Sequence, residues 1–112
     1  MTETLGTARL GELGRPLREL KKRLEEALSA AVQMTLFGSH ARGEATAESD
    51  VDLLVVVPRL DETTMEVVLE KTWEVGFEAG LVFSVIPVGA DEVPQLAGSP
   101  FLESVKREGI EI

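Results

Sequence analysis

The chain has 112 residues, 44% of them hydrophobic, a formal net charge of −9 and no cysteine. That length and apolar content suit one domain, residues 1–112, with a modest core, and the missing thiols exclude a disulfide framework and a thiolate metal site. The negative charge argues against direct nucleic-acid binding, because phosphate backbones are held chiefly by Lys and Arg. It equally favours an exposed basic protein partner, with plain solubility as the competing reading.

Met1 to Gly14 carries two glutamates, one arginine and no long apolar stretch. It is expected to be neither a signal peptide nor a membrane anchor, and the protein is expected to be cytoplasmic. Pro16, a residue favoured at the first helical position, opens a helix reaching about Ala30. Leu17, Leu20, Leu24 and Leu28 fall on one face at helical spacing and read as core, while Arg18, Glu19, Lys21, Lys22, Arg23, Glu25 and Glu26 read as the solvated side. The apolar segment Val32 to Phe37 is a strand that ends at Gly38.

Gly38-Ser39-His40-Ala41-Arg42-Gly43-Glu44 is followed, after four residues, by Ser49-Asp50-Val51-Asp52-Leu53-Leu54-Val55. A strand points residues i and i+2 to the same face, so Asp50 and Asp52 project together while Val51 turns into the core. Two such carboxylates suit Mg²⁺, which binds one or two of them together with substrate phosphates and several waters. Gly38 lets a phosphate approach the backbone, and Ser39 offers a hydroxyl and an N–H where a short helix begins. A triphosphate brought in with Mg²⁺ escapes the objection that the acidic charge raises against polyanions. Arg42 could reach a phosphate or pair with a nearby carboxylate. His40, the only histidine, reads as a loop residue with a phosphate contact as the alternative, and Ser49 as the residue that caps the turn before the strand, with donation to the metal site as the alternative.

Ala41 to Glu48 holds only a turn or two of helix, too little for an ordinary parallel crossover, which predicts a sheet that is not purely parallel. Val51 to Val57 is apolar on both faces beyond Asp52 and reads as a central strand closed by Pro58. Asp61 or Thr63 caps a helix to about Ala79, with Met65, Val68, Leu69, Trp73 and Phe77 as its apolar stripe, Trp73 in the core, and Gly80 as its stop. Leu81 to Val88 follows as a strand in which Pro87 indicates an edge position. After Pro94 and Pro100 a last helix spans Phe101 to Glu108 and ends at Gly109. The pattern is α/β in composition (α+β), a mixed sheet flanked by helices, without internal repeats.

The run from Leu36 to Val56 resembles the signature of the minimal nucleotidyltransferases, small members of the DNA polymerase beta superfamily: Gly-Ser, a few residues including Ala-Arg-Gly, then Ser-Asp-x-Asp-Leu. The order of the remaining elements, down to Arg107-Glu108-Gly109-Ile110, is similar over most of the chain. The resemblance implies the nucleotidyltransferase fold and transfer of a nucleoside monophosphate, AMP from ATP foremost among the NTPs, to a hydroxyl with release of pyrophosphate. It implies that Gly38 and Ser39 hold the β- and γ-phosphates, with Arg42 beside them, and that Asp50 and Asp52 bind Mg²⁺ in a site with room for two metals. Members of the family commonly bring a third carboxylate from a neighbouring strand. Its counterpart here, Leu81 to Val88, has Ser84 as its only hydrogen-bonding side chain, with Glu78 before it and Asp91 and Glu92 after it.

Two classes of function follow from the resemblance. In the first, the chain is an enzyme that modifies a hydroxyl on a partner protein. In the second, it is a nucleotide-binding module of weak or no turnover that neutralises a partner by complex formation. The family is commonly encoded beside small helical proteins of the HEPN class, so the resemblance implies a HEPN-type partner, an antitoxin role, and an oligomer formed with that partner. The chain has no tyrosine, which rules out tyrosine modification in cis.

Overall fold

The leucines at helical spacing organise the first element of the fold. In the computed structural model, residues 10–112 are described, so the expectation about the leader falls, up to Arg9, outside the described residues. A 3-10 turn over Gly11–Leu13 leads into α1, Gly14–Leu28, which buries Leu17, Leu20 and Leu24. The helix starts two residues ahead of Pro16. Pro16 therefore sits inside the first turn, where the N–H groups have no intrahelical acceptor and a missing one costs nothing. Ser29, in the left-handed region at φ 52°, ends the helix just short of Ala30.

The strands are β1 (Gln33–Phe37), β2 (Val51–Val57), β3 (Phe83–Gly89) and β4 (Ile110–Glu111), in the spatial order β3-β2-β1-β4. β2 is parallel to β3, and β1 is antiparallel to both β2 and β4. The sheet is thus mixed, β2 is interior, and the strand with Pro87 lies at an edge, as the sequence implies. The short β4 was not expected; Gly109 permits it, because a Cβ there would run into the Thr35 side chain and the Val105 carbonyl. Between β1 and β2 stands the four-residue α2, Ser39–Arg42. Between β2 and β3 runs α3, Glu62–Ala79, capped by Asp61, whose Oδ1 accepts the Thr64 N–H at 2.8 Å, and closed by Gly80 at φ 69°. The 3-10 turn Ala90–Glu92, then α4 (Val93–Leu96) and α5 (Pro100–Glu108), complete the order.

Strand alternation divides the apolar residues between two layers. On one face Met34, Leu36, Val51, Leu53, Val55 and Val57 are sealed by α1 and α3 into the main core. On the other, Leu54 and Val88 join Leu102 and Val105 of α5 in a smaller cluster, with Phe37, Val56 and Val93 packed against it. The second face is covered only in part. Its uncovered part includes Asp52 and Ser84.

The expected stripe of α3 requires correction. Val68 is buried, but Leu69, Trp73 and Phe77 are exposed, Trp73 at 67% and Phe77 at 74%, and Trp73 is not a core residue. The arc that faces inward is Val68, Thr72, Val75 and Gly76. Gly76 explains the rotation: a Cβ there would lie 2.8 Å from the Leu81 carbonyl oxygen and 3.3 Å from the Phe83 ring, so the helix presses its glycine onto the chain entering β3 and turns Trp73 and Phe77 outward. Arg23 of α1 holds the other side of α3, with a two-pronged contact to Glu78 at 2.8 and 3.0 Å and a further one to Glu19 of its own helix at 2.8 Å.

Candidate active site

β1 stops at Phe37, which lies opposite Asp52 in the antiparallel ladder, so the turn that follows β1 arrives beside the start of β2. Gly38 takes φ 76° and ψ −155°, a conformation open essentially to glycine alone. A Cβ on Gly38 would collide with Asp52 Oδ2 and lie 3.1 Å from its Cγ. The turn and the second carboxylate of the motif are therefore in direct contact. Ser39 opens α2 immediately after it.

Val51 is fully buried on the helix-covered face. Alternation directs Asp52 to the opposite face, where it is half-buried, and Asp50, just ahead of the strand, is exposed. No ion pair among the described residues uses either carboxylate. The loop leading to Asp50 is held at two points. The His40 ring Nε2 contacts the Ser49 carbonyl oxygen at 3.2 Å, and Ser49 Oγ accepts the Thr46 N–H at 2.9 Å. His40, which lies in the short α2 and not in a loop as expected, and Ser49 thus both act on the backbone just ahead of Asp50.

Arg42 donates from Nε to Glu44 at 2.8 Å and from a terminal nitrogen to Glu108 at 3.5 Å. Of the two roles open to it, the carboxylate pair is the one formed here. The Glu44 carboxylate, supported by Glu108, holds the guanidinium above its ordinary pKa. The contact to Glu108 also ties the end of α2 to the last turn of α5.

Across the other ladder, Asp52 is in register with Ser84. Parallel neighbours in register share a face, so the position where a third carboxylate would stand carries an exposed serine hydroxyl. Two of the three acidic residues flanking β3 have partners of their own. Glu78 is gripped by Arg23, which lowers its pKa, on the helix-covered side of the sheet. Glu92 accepts the Gly89 N–H at 2.8 Å, with Asp91 next to it in the chain. Gly89 ends β3 five residues beyond Ser84, about 16 Å along the strand.

The donor set is therefore the half-buried Asp52 carboxylate, the exposed Asp50 just ahead of the strand, a serine hydroxyl in register with Asp52, and a glycine turn that leaves Asp52 room. Among the described residues no group of three or more acidic or histidine side chains could hold a metal ion. Two carboxylates with waters and substrate phosphates still match the way Mg²⁺ is bound. The set fits a cation that arrives with its nucleotide and does not form a closed cage for a resident one.

A mixed sheet flanked by helices, with a glycine-serine turn abutting an Asp-x-Asp strand, defines the nucleotidyltransferase class. The chain belongs to the nucleotidyltransferase domain family, which matches residues 17–88, well over half of its length. It lies within the polymerase beta-like superfamily. It is similar to the bifunctional uridylyltransferase/uridylyl-removing enzymes of Bordetella avium, at 32% identity over 77 residues, and Bordetella pertussis, at 37% over 68 residues. Each alignment covers 57% of this chain, but only 9% and 8% of those enzymes, so the chain spans less than a tenth of the length of these relatives. Its fold is similar to that of a Sulfolobus solfataricus protein described as a nucleotidyltransferase, with a TM-score of 0.52 and 18% identity over 99% of this chain and 86% of that one. Among the described residues no helix is long and apolar enough to cross a membrane.

Proposed function

We propose that this nucleotidyltransferase domain moves a nucleoside monophosphate from a triphosphate to a hydroxyl on a partner protein. The observation that carries the reading is the contact between Gly38, which has no room for a side chain, and the Asp52 carboxylate. It leaves backbone accessible to phosphate beside two acidic oxygen donors. Asp50 and Asp52 would hold Mg²⁺. When bound, Mg²⁺ neutralises phosphate charge and clamps the oxygens of an in-line displacement. Gly38 and Ser39 orient the β- and γ-phosphates through backbone N–H and the Ser39 hydroxyl. The acceptor oxygen forms a bond to the α-phosphorus, the bond to pyrophosphate breaks, and the hydroxyl proton leaves to a base.

That base is the weak point of the site. Ser84 is no base, Glu78 is paired with Arg23, and Asp91 and Glu92 lie past the far end of β3 from Ser84. The isolated chain accordingly binds nucleotide and transfers it slowly, and its cognate partner supplies what is missing. Arg42 reaches a phosphate only by releasing Glu44. The partner we favour is a small helical protein of the HEPN class, with the chain acting as antitoxin by modification or by complex formation in the cytoplasm. AMP from ATP is the first choice of nucleotide. The names of the Bordetella relatives put UTP beside ATP.

The test is transfer of label from α-labelled ATP or UTP, with Mg²⁺, to proteins of a lysate of the source cells. Label is expected on a small protein and lost with Asp50→Asn or Asp52→Asn. Rapid labelling of a generic protein by the purified chain, abolished by Glu78→Gln or Asp91→Asn, would show that the missing base lies within the chain.

A further inference from the structure

The two carboxylates of the site are not held alike. Asp52 lies inside β2, paired with Phe37 on one side and Ser84 on the other, so the sheet fixes its backbone from both flanks. Asp50 stands one residue ahead of the strand, is exposed, and takes part in no ion pair among the described residues. Its direction is set by the two peptide groups that flank its Cα. The one that follows is pinned by the chain entering β3, because the Val51 N–H donates to the Val82 carbonyl oxygen at 2.8 Å. The one that precedes, joining Ser49 to Asp50, is pinned by His40, whose ring Nε2 lies 3.2 Å from the Ser49 carbonyl oxygen.

A carbonyl oxygen only accepts, so Nε2 carries the hydrogen of this bond. A peptide group is planar, so holding that carbonyl also holds the Asp50 nitrogen. The two bonds together restrict both backbone dihedrals of Asp50, and His40 supplies one of them.

His40 is in turn bound to the phosphate turn. It is the second residue of α2, directly after Ser39. The Arg42 N–H donates to the Gly38 carbonyl at 3.1 Å and the Glu44 N–H to the Ser39 carbonyl at 2.9 Å, which closes the short helix onto the turn. Between Glu44 and Asp50 the chain is an exposed loop, shaped by the Thr46 N–H bond to Ser49 Oγ at 2.9 Å, a contact within the loop itself. The ring of His40 bridges that loop directly from turn to carboxylate.

We propose that His40 is a positioning residue for the metal site: its Nε2–H aims Asp50 and couples that carboxylate to the Gly38-Ser39 turn, so that phosphate and Mg²⁺ meet one preformed unit. This role rests on the reading that Asp50 is a metal ligand. It asks for an N–H donor at this place and not for a titrating ring, which sets it apart from a base or a cation for phosphate.

The test compares the wild type with His40→Ala and His40→Gln, because a glutamine amide offers an N–H donor of similar reach and does not titrate. Asp61→Ala, which removes the α3 cap beyond the opposite end of β2, controls for a plain loss of stability. In the nucleotide-free protein, NMR relaxation is expected to show the Asp50 amide order parameter falling below about 0.6 in His40→Ala while Asp52 stays near about 0.85. His40→Gln is expected to restore Asp50, and Asp61→Ala to leave both residues as in the wild type. In calorimetric titration with Mg-ATP, His40→Ala is expected to bind roughly five- to thirtyfold more weakly, the equilibrium factor that corresponds to ordering the backbone of one residue. His40→Gln is expected to recover most of that loss, and Asp61→Ala to show none of it. Unchanged Asp50 order in His40→Ala, equal losses in the alanine and glutamine variants, or the same loss in Asp61→Ala would overturn the proposal. The two readings fail differently: loss and rescue of Asp50 order with no Mg-ATP binding by any of the proteins would uphold the aiming of Asp50 by His40 and reject the nucleotide site, whereas Mg-ATP binding that ignores His40 would reject the positioning role alone.

Discussion

The two faces of the sheet are built from the same strands and put to opposite uses. On the helix-covered face every inward residue of β2, from Val51 through Leu53 and Val55 to Val57, is fully buried under α1 and α3. On the other, the same strand begins with Asp52 and only then turns apolar at Leu54 and Val56, where α5 covers it. Burial is therefore deepest on one side, while Asp52 stands half-buried at the start of the other, one residue from Val51 in sequence. A substitution at Leu53 and one at Leu54 probe the two packed layers of one strand.

The largest effect is expected at Leu53. Leu53→Ala opens a cavity in the main core and should cost about 4 kcal/mol, against about 2 kcal/mol for Leu54→Ala in the smaller cluster. Urea denaturation of both variants checks this, and equal losses would erase the distinction between the faces. Gly38→Ala comes next. It places a Cβ against Asp52 and forces alanine into a glycine-only conformation, for about 3 kcal/mol, most of it from the backbone. Circular dichroism melts would read that loss, and restoration of stability by the double substitution with Asp52→Ala would show how much belongs to the collision.

The smallest effect concerns the link between α1 and α3. Arg23 lowers the folded-state pKa of Glu78 below its ordinary value of 4.5. A depressed carboxylate contributes stability that is present above its unfolded pKa and is lost as pH falls through the lower folded value. The wild type should therefore lose stability below about pH 4.5 more steeply than Glu78→Gln. Parallel acid profiles for the two proteins would mean that this exposed pair contributes nothing.

The elements that position the site were legible in the sequence because short-range rules govern them. The i, i+2 rule separates Val51 from its aspartates, the short Ala41 to Glu48 link excludes an all-parallel sheet, and Pro87 marks the edge. Ser84 was legible as the one hydrogen-bonding side chain of its strand, with an aliphatic neighbour as the alternative at that place, and the register with Asp52 decides for Ser84. The orientation of α3 was not legible. Its apolar residues span a wide arc, and periodicity alone does not say which part of the arc faces inward. The choice is made at Gly76 against Leu81 and Phe83, and by Arg23 reaching Glu78 across 55 residues of chain. Thr72 gave no sequence signal at all, since a threonine in a helix reads as an ordinary surface residue until its surroundings are known.

The central claim, that Asp50 and Asp52 hold a metal-bridged nucleotide against the Gly38-Ser39 turn, is tested most directly by calorimetric titration of ATP and UTP into the wild type and Asp52→Asn, with and without Mg²⁺. The account predicts Mg²⁺-dependent binding by the wild type, at least tenfold weaker binding by the variant, and a variant no less stable than the wild type, because removing one of two converging carboxylates relieves repulsion when no metal is bound. Equal affinity of the two proteins for either nucleotide, with the same response to Mg²⁺, would contradict it.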